Sequence, residues 1–376
     1  MSLGFQSAGW DLVLAIDNWD AAIQCYGRNI KGHTVLRQDL SEVPKVLEIL
    51  KKQEFDILIG GPPCQDFSTA GKKVEGKRAK LTTSFAAIVA GARPKFFVME
   101  NVESAQKSKA FAAARQKFKS AGYGVTEVVL DASYCGVPQR RKRLFCIGIL
   151  EGADGVILPL LQSRQSDLPS TPRNYLRHKL KYYYAHPRTY RRRAVFSIDE
   201  PAPTIRSGSN RPVPPDYRCH QSDPIDPLAA RLRSLTMEER AALQMFPKDF
   251  KWGDSRIDNE LLISNAVPVG LAKFVGQALL DYAMNPEILP NPCFLNWLGE
   301  AKNFSDTTAK RILARYRRAG RLVGKPFQSD KKLCRDLSRN ETFKALSEKV
   351  RANLMSACSL HMEFEMQKRN QNGAQA

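Results

Sequence analysis

Histidine is scarce, with 5 in 376 residues, and the eight cysteines form no C-x-x-C pair or Cys/His cluster of zinc-site spacing. That argues against a structural metal and for reduced thiols. No apolar run approaches the roughly 20 residues of a membrane helix. The opening MSLGFQSAGWD lacks the basic start and apolar core of a secretion signal. A cytoplasmic protein without a membrane or metal is the expectation. Acidic residues are also few, 38 against 58 Lys and Arg, for a formal charge of +20. Such an excess favours a polyanionic partner, most simply nucleic acid, although a merely soluble basic protein has the same composition.

What is present is an alternation of apolar strands and helices over the first 150 residues, which predicts an α/β fold with a doubly wound, mostly parallel sheet. The central stretch is FDILIGGPPCQDFSTAG, residues 55–71. It reads as a buried strand that ends at two glycines and two prolines and then presents Cys64. Open α/β sheets place ligands at the carboxyl ends of parallel strands, so Cys64 is the first candidate for chemistry. Residues 12–16 read as another strand, ending at Asp17-Asn18, and residues 33–36 as a third, ending at Asp39-Leu40. An acid there either meets ribose hydroxyls or simply turns the chain. Residues 95–99 form a further apolar strand ending at Glu100-Asn101-Val102, where a carboxylate is costly unless paired or used. A single helix is expected over 105–121, a strand over 125–130, and then the basic run Gly136-Val-Pro-Gln-Arg-Arg-Lys-Arg143.

Read together, GPPCQ, ENV and GVPQRRKR at strand ends resemble the DNA cytosine-5 methyltransferases of bacterial and phage type. The resemblance runs from residue 1 to about 281. It implies a Rossmann-like methyltransferase sheet with a smaller target-recognition domain. The expected divisions are a catalytic domain over 1–149, a recognition region over 150–228, and its end with the return to the catalytic domain over 229–284. A basic, helical extension with a disordered tail is expected over 285–376.

Residue by residue, the resemblance makes Cys64 the nucleophile, Glu100 the acid that holds the cytosine edge, and Arg143, backed by Arg141, the holder of the base carbonyl and of Glu100. It implies S-adenosylmethionine as methyl donor, with Asp17 on its ribose, Asn18 and Asp39-Leu40 at the adenine, Pro63 beside Cys64 near the cofactor, and Asn265 and Ala266 at the methionine end. Double-stranded DNA is the implied partner. Gln65, Ser68 and Arg78 lie in a Gly- and Lys-rich loop placed to close over a flipped base. Lys181, Tyr183, Arg188, Arg191, Arg192 and Arg206 fall in the recognition region, where interleaved Arg and Tyr suit phosphate contact and base stacking. Residues 235–247 read as a helix with a Thr236/Glu239 capping box, structural in the family.

Family members open with a strand and a glycine-rich turn, and this chain starts after them. The expectation is an internal start or a second polypeptide that supplies the missing motif. The alternative is a catalytically silent, or partner-dependent, DNA-binding relative; a tRNA methyltransferase is the third reading. Beyond residue 285 lie prolines, a short helix at 294–298, and a basic amphipathic helix at 305–318 that either grips DNA or faces solvent on an accessory domain.

Overall fold

The computed structural model describes residues 1–62, 79–176, 180–189, 191–284, 298–323 and 331–373. They divide into two compact units, residues 1–156 with 168–280, and residues 157–167 with 281–376.

The first unit begins with a short helix, Ser2–Ser7 (α1), followed by Leu14–Asp17 (β1), Asp20–Asn29 (α2) and Thr34–Arg37 (β2). β1 and β2 pair in parallel, Leu14 opposite Thr34 and Asp17 opposite Arg37. Val43–Leu50 (α3) starts with Pro44 in its first turn, where the missing N–H costs nothing. Ile57–Gly60 (β3), Ala79–Ala92 (α4) and Phe96–Val102 (β4) follow, with β3 parallel to β4. The helix expected over 105–121 is in two pieces. A 3-10 turn at Glu103–Lys107 gives way at Ser108, whose extended backbone lets its hydroxyl accept from Phe111 N at 3.1 Å and cap Lys109–Ser120 (α5).

Tyr123–Asp131 (β5) and Lys142–Leu150 (β6) complete a four-stranded sheet of order β3-β4-β6-β5, with β6 antiparallel to both neighbours. Three of its four strands therefore run the same way, as expected of a mostly parallel sheet, and β6 is the reversed one. The link from β5 to β6 is too short for a crossover helix, so the chain folds back on itself. Phe96 to Asn101 are buried throughout, as suits a strand covered on both faces. On one side Phe97, Met99, Leu144 and Cys146 pack with Phe85, Phe111 and Phe118 of α4 and α5. Gly148 stands opposite Phe97, and a Cβ there would fall 1.8 Å from its ring, so only glycine admits that ring. Leu14 and Ile16 of β1 and Leu58 of β3 share one cluster with Val46, Leu50 and Ile88, yet β1 and β3 belong to separate hydrogen-bonded sheets.

Leu158–Arg164 (α6) belongs to the second unit, so the expected recognition region leaves the first unit over 157–167 and rejoins it at Leu168. Its small core is built around Tyr182–Tyr184 (β7) and Val195–Ser197 (β8), an antiparallel pair, with Ile205, Leu235, Leu243 and Ile263. Met237–Leu243 (α7) carries the capping box read from the sequence: Glu239 N donates to Thr236 Oγ1 at 3.2 Å, and Thr236 N donates to Glu239 Oε2 at 2.8 Å. Arg256–Asn265 (α8) and Val269–Met284 (α9) close the unit. Contrary to the sequence expectation, Arg256–Met284 is long and apolar enough to cross a membrane, with mean hydropathy 1.3 in its best window. That window is 56% buried, and the two helices are separated at Ala266-Val267-Pro268, as befits core helices.

In the second unit, Asp306–Leu322 (α10), Lys331–Arg339 (α11), Glu341–Lys344 (α12) and Glu348–Gly373 (α13) surround a core of their own. Ala309, Ile312, Leu313 and Tyr316 supply the stripe read from the sequence and meet Leu337, Phe343, Leu354 and Cys358. Buried His361 stacks on Tyr316 with ring centroids 3.9 Å apart and planes 9° apart. The helix expected at 294–298 falls almost wholly outside the described residues.

Candidate active site

Cys64, with Pro63, Gln65, Ser68 and Arg78, lies outside the described residues. The stem that leads to it is well placed. Buried Asn101, at the end of β4, donates from Nδ2 to Pro62 O at 3.2 Å and accepts from Val102 N at 2.9 Å. A Cβ on Gly61 would lie 3.2 Å from Glu100 Oε2, so the stem runs against the Glu100 carboxylate and any larger residue would press on it. Sequence reading passed over Asn101 as a tether; a buried amide after a strand-end carboxylate was the available signal.

Glu100 is buried at 8% exposure, and Arg143 reaches it from the adjacent strand, Nε to Oε1 at 3.0 Å. β4 and β6 are antiparallel with Val102 opposite Arg143, which sets the arginine two positions from the acid along the ladder. Burial pushes the Glu100 carboxyl above the ordinary carboxylate range, against the pull of Arg143, Arg141 and the Met1 amino group. A carboxyl kept protonated at higher pH is a proton donor, and one beside a guanidinium stays oriented.

Arg141 departs from its expected place behind Arg143 as a holder of substrate. Its side chain is 2% exposed, and its guanidinium donates to Ile205 O at 3.0 Å, Ser264 O at 2.9 Å and Ala266 O at 3.1 Å. It braces two backbone segments, at Ile205 and at Ser264 to Ala266, and its charge reaches Glu100 only through space. Gln139 works alongside, donating to Gln244 Oε1 at 3.0 Å and accepting from Ile205 N at 3.0 Å, while Gln244 donates to Ile263 O at 2.6 Å. These contacts join the VPQRR, PTIR and SNAVP stretches into one polar core.

On the cofactor side, Asp17 is exposed at the end of β1, and its Oδ1 accepts from Trp19 N at 2.9 Å. Asp39 accepts from Ser41 N at 2.8 Å, and hydrogen bonds from Ser41 and then Asn18 hold its carboxyl below the usual range. Asn18 and Asp39, both expected at the adenine, are thus in contact. Leu40 is half-buried against α3, and Asn265 is exposed beside half-buried Ala266. Carboxylates, an amide and an apolar ledge fit the ribose and adenine of a nucleoside, the donor set that the resemblance implies.

Among the candidate DNA contacts, Lys181, Arg188, Arg191 and Arg192 are exposed. Tyr183 is not available: it is 1% exposed in the core of the recognition region, so it cannot stack on a base. Arg206 is half-buried and donates to His186 O. Burial, then Arg188, Arg211 and Arg192, push its pKa below the usual arginine value. Arg211, which sequence reading missed, folds back over Gly208, its Nε 3.7 Å from where a Cβ would stand. Like charges gathered this closely repel unless an anion joins them. Cys135 and Cys146 are buried, their thiols pushed up by burial, which makes them inert.

Comparison with known proteins agrees with this geometry. The model of the C-5 cytosine-specific DNA methylase family matches residues 1–194 and 173–281. The Type II methyltransferase M.HindV of Haemophilus influenzae is 47% identical over 289 residues, covering 76% of this chain and 94% of that protein. The Type II methyltransferase M.HgiDI of Herpetosiphon aurantiacus is 46% identical over 291 residues, covering 77% and 93%. Among solved structures, the Dnmt2 methyltransferase of S. pombe shares the fold with TM-score 0.58 at 20% identity, over 76% of this chain and 95% of that one. The Entamoeba histolytica methyltransferase EhMeth does so with TM-score 0.55 at 17% identity, over 74% and 95%. The chain belongs to the C-5 cytosine-specific DNA methylase family and is a DNA cytosine methyltransferase.

Proposed function

We propose that this chain methylates carbon 5 of a cytosine flipped out of a specific duplex site, through a covalent adduct with Cys64. The observation that carries the reading is the buried Glu100–Arg143 pair beside the tethered stem of Cys64. Carbon 5 of cytosine is a weak nucleophile. Addition of the Cys64 thiolate to carbon 6 moves electron density to carbon 5, and protonated Glu100 stabilises the ring at nitrogen 3 as that density builds. Arg143 orients Glu100 and faces the base carbonyl; Arg141 is a positioning residue. Once carbon 5 bears the methyl group, loss of its proton to a base and breakage of the carbon 6–sulfur bond return the aromatic ring and free Cys64.

S-adenosylmethionine supplies the electrophilic methyl group, and Asp17, Asn18, Asp39, Leu40, Pro63, Asn265 and Ala266 would hold it. The target must leave the stack first, at a cost of a few kcal/mol. Gln65, Ser68 and Arg78 would close on it, while Lys181, Arg188, Arg191, Arg192 and Arg206 hold the duplex. The Type II relatives favour a role in restriction-modification, in a bacterial or phage-infected cytoplasm. β1 and β3 each pair on one side only among the described residues, which supports a further strand, from upstream or from a second polypeptide, completing the cofactor side.

Transfer of tritiated methyl from S-adenosylmethionine to duplex DNA, by this chain and by one extended upstream through a glycine turn, tests the reading. Label at carbon 5 of cytosine that is lost in Cys64→Ala supports it. An extended chain that binds DNA but labels no cytosine would instead favour the silent binder.

A further inference from the structure

The second unit adds a helical module to the family's fold. The family match ends at residue 281, ahead of α10 to α13, and alignments of 289 and 291 residues already cover 94% and 93% of the two bacterial relatives. The shared chemistry therefore does not need it. Its buried cluster, which joins α10 to α11, α12 and α13, gives it a core of its own.

Its charge is divided unevenly. Residues 306–339, which hold α10 and α11, contain 11 Lys and Arg against 3 acids, while residues 340–373 contain 5 against 4. The apolar stripe of α10 is turned inward: Ala309, Ile312, Leu313 and Tyr316 are all buried. Arg311 on α10 and Arg335 and Arg339 on α11 are exposed, and Arg315 is half-buried. None of these four side chains has an ion pair or hydrogen bond among the described residues. Acids in the same unit are engaged elsewhere, Glu363 with Lys302, Glu341 with Lys344 at 2.7 Å, and Asp281 with Arg164. Among the described residues these three acids thus pair with other cations, and Arg311, Arg315, Arg335 and Arg339 have no salt-bridge partner. A guanidinium is weakly hydrated and suited to phosphate oxygens.

We propose that α10 and α11 form a second, sequence-independent DNA-binding surface that contacts the phosphate backbone of the duplex. It raises the residence of the enzyme on DNA of any sequence and takes no part in the methyl-transfer step. This inference uses the cytosine methyltransferase assignment only to choose duplex DNA among polyanions.

The test uses the full chain and a 30-base-pair duplex of random sequence. Affinity is measured against salt for the wild type, for the triple variant Arg311→Gln, Arg335→Gln, Arg339→Gln, and for the matching triple Lys variant. Neutralising the three arginines should lower the slope of log affinity against log salt by roughly 2 to 3, since each phosphate contact contributes about 0.9. The Lys variant should keep the slope, which separates charge loss from misfolding. The methylation rate at saturating DNA should be unchanged. A triple Gln variant with the wild-type slope overturns the proposal, and so does a loss seen with anionic lipid vesicles but not with duplex DNA. Failure here would leave cytosine labelling intact, whereas failure of the methyltransferase reading would leave this slope difference in place.

Discussion

Arg143 Nε lies 3.0 Å from Glu100 Oε1, a contact across the antiparallel β4–β6 ladder that brings a cation to a buried acid. Because burial raises the Glu100 pKa and Arg143 is the largest opposing influence, Arg143→Met should raise it further. The sign follows from linkage: a raised acid pKa means that the folded state holds the proton more tightly, so its contribution to stability is present at low pH and lost as pH rises through the folded value. A pH–rate profile should show Arg143→Met losing turnover by about 100-fold or more, with its alkaline limb moved upward. An unmoved limb would remove Glu100 as the titrating acid. Glu100→Gln keeps an amide donor but not the proton, and should cost about 10²–10⁴ in kcat with DNA affinity held within a few-fold.

Arg141 acts on stability. Its loss takes a donor from Ile205 O and Ser264 O and leaves Ala266 O with only Gln244 Nε2 at 3.4 Å, at about 1–3 kcal/mol for each that stays unsatisfied. Arg141→Met should lower the thermal midpoint by much more than Arg143→Met, and Arg141→Lys, a single-point donor, should recover only part of it. Differential scanning calorimetry decides between them.

The guanidinium cluster around Arg206 makes opposite demands on the free and bound protein. Arg211→Gln removes one of the charges that depress the Arg206 pKa. The free protein should become slightly more stable at low salt, while DNA binding weakens equally for all sequences, with a salt slope lower by about 1. A change in preferred target sequence would show that Arg211 reads bases.

Acid should weaken the second unit. Burial holds His361 at about 4, below its ordinary 6.5. The unfolded chain therefore binds the extra proton first, and stability falls as pH drops from about 6.5 to 4, by roughly 3 kcal/mol at full effect. His361→Phe keeps the stack on Tyr316 and should flatten that dependence, read by denaturant titration of the full chain at several pH values.

Strand-end chemistry was legible because apolar runs ending in GPPCQ, ENV and VPQRR need no tertiary information to be seen. Local signals such as the Thr236 capping box and the stripe through Ile312 and Tyr316 are likewise written in neighbouring residues. What sequence could not show depends on contacts between distant segments. Arg141 reaches carbonyls 64 to 125 residues away, and nothing local separates such a brace from a substrate contact. Tyr183 sits in a run of three tyrosines, and only the packing of the recognition core decides that it points inward. The antiparallel setting of β6 follows from its pairing partners, which a pattern of apolar residues does not name.

The covalent step is tested most directly by trapping it. In duplex DNA carrying 5-fluorocytosine, carbon 5 holds fluorine instead of the proton that must leave, so the adduct should persist after methyl transfer. In the presence of S-adenosylmethionine, the upstream-extended chain should form a denaturant-stable protein–DNA complex, mapped to Cys64 by peptide mass spectrometry and absent in Cys64→Ala. A stable complex in Cys64→Ala, or carbon 5 methylation without any trapped complex, would contradict the account.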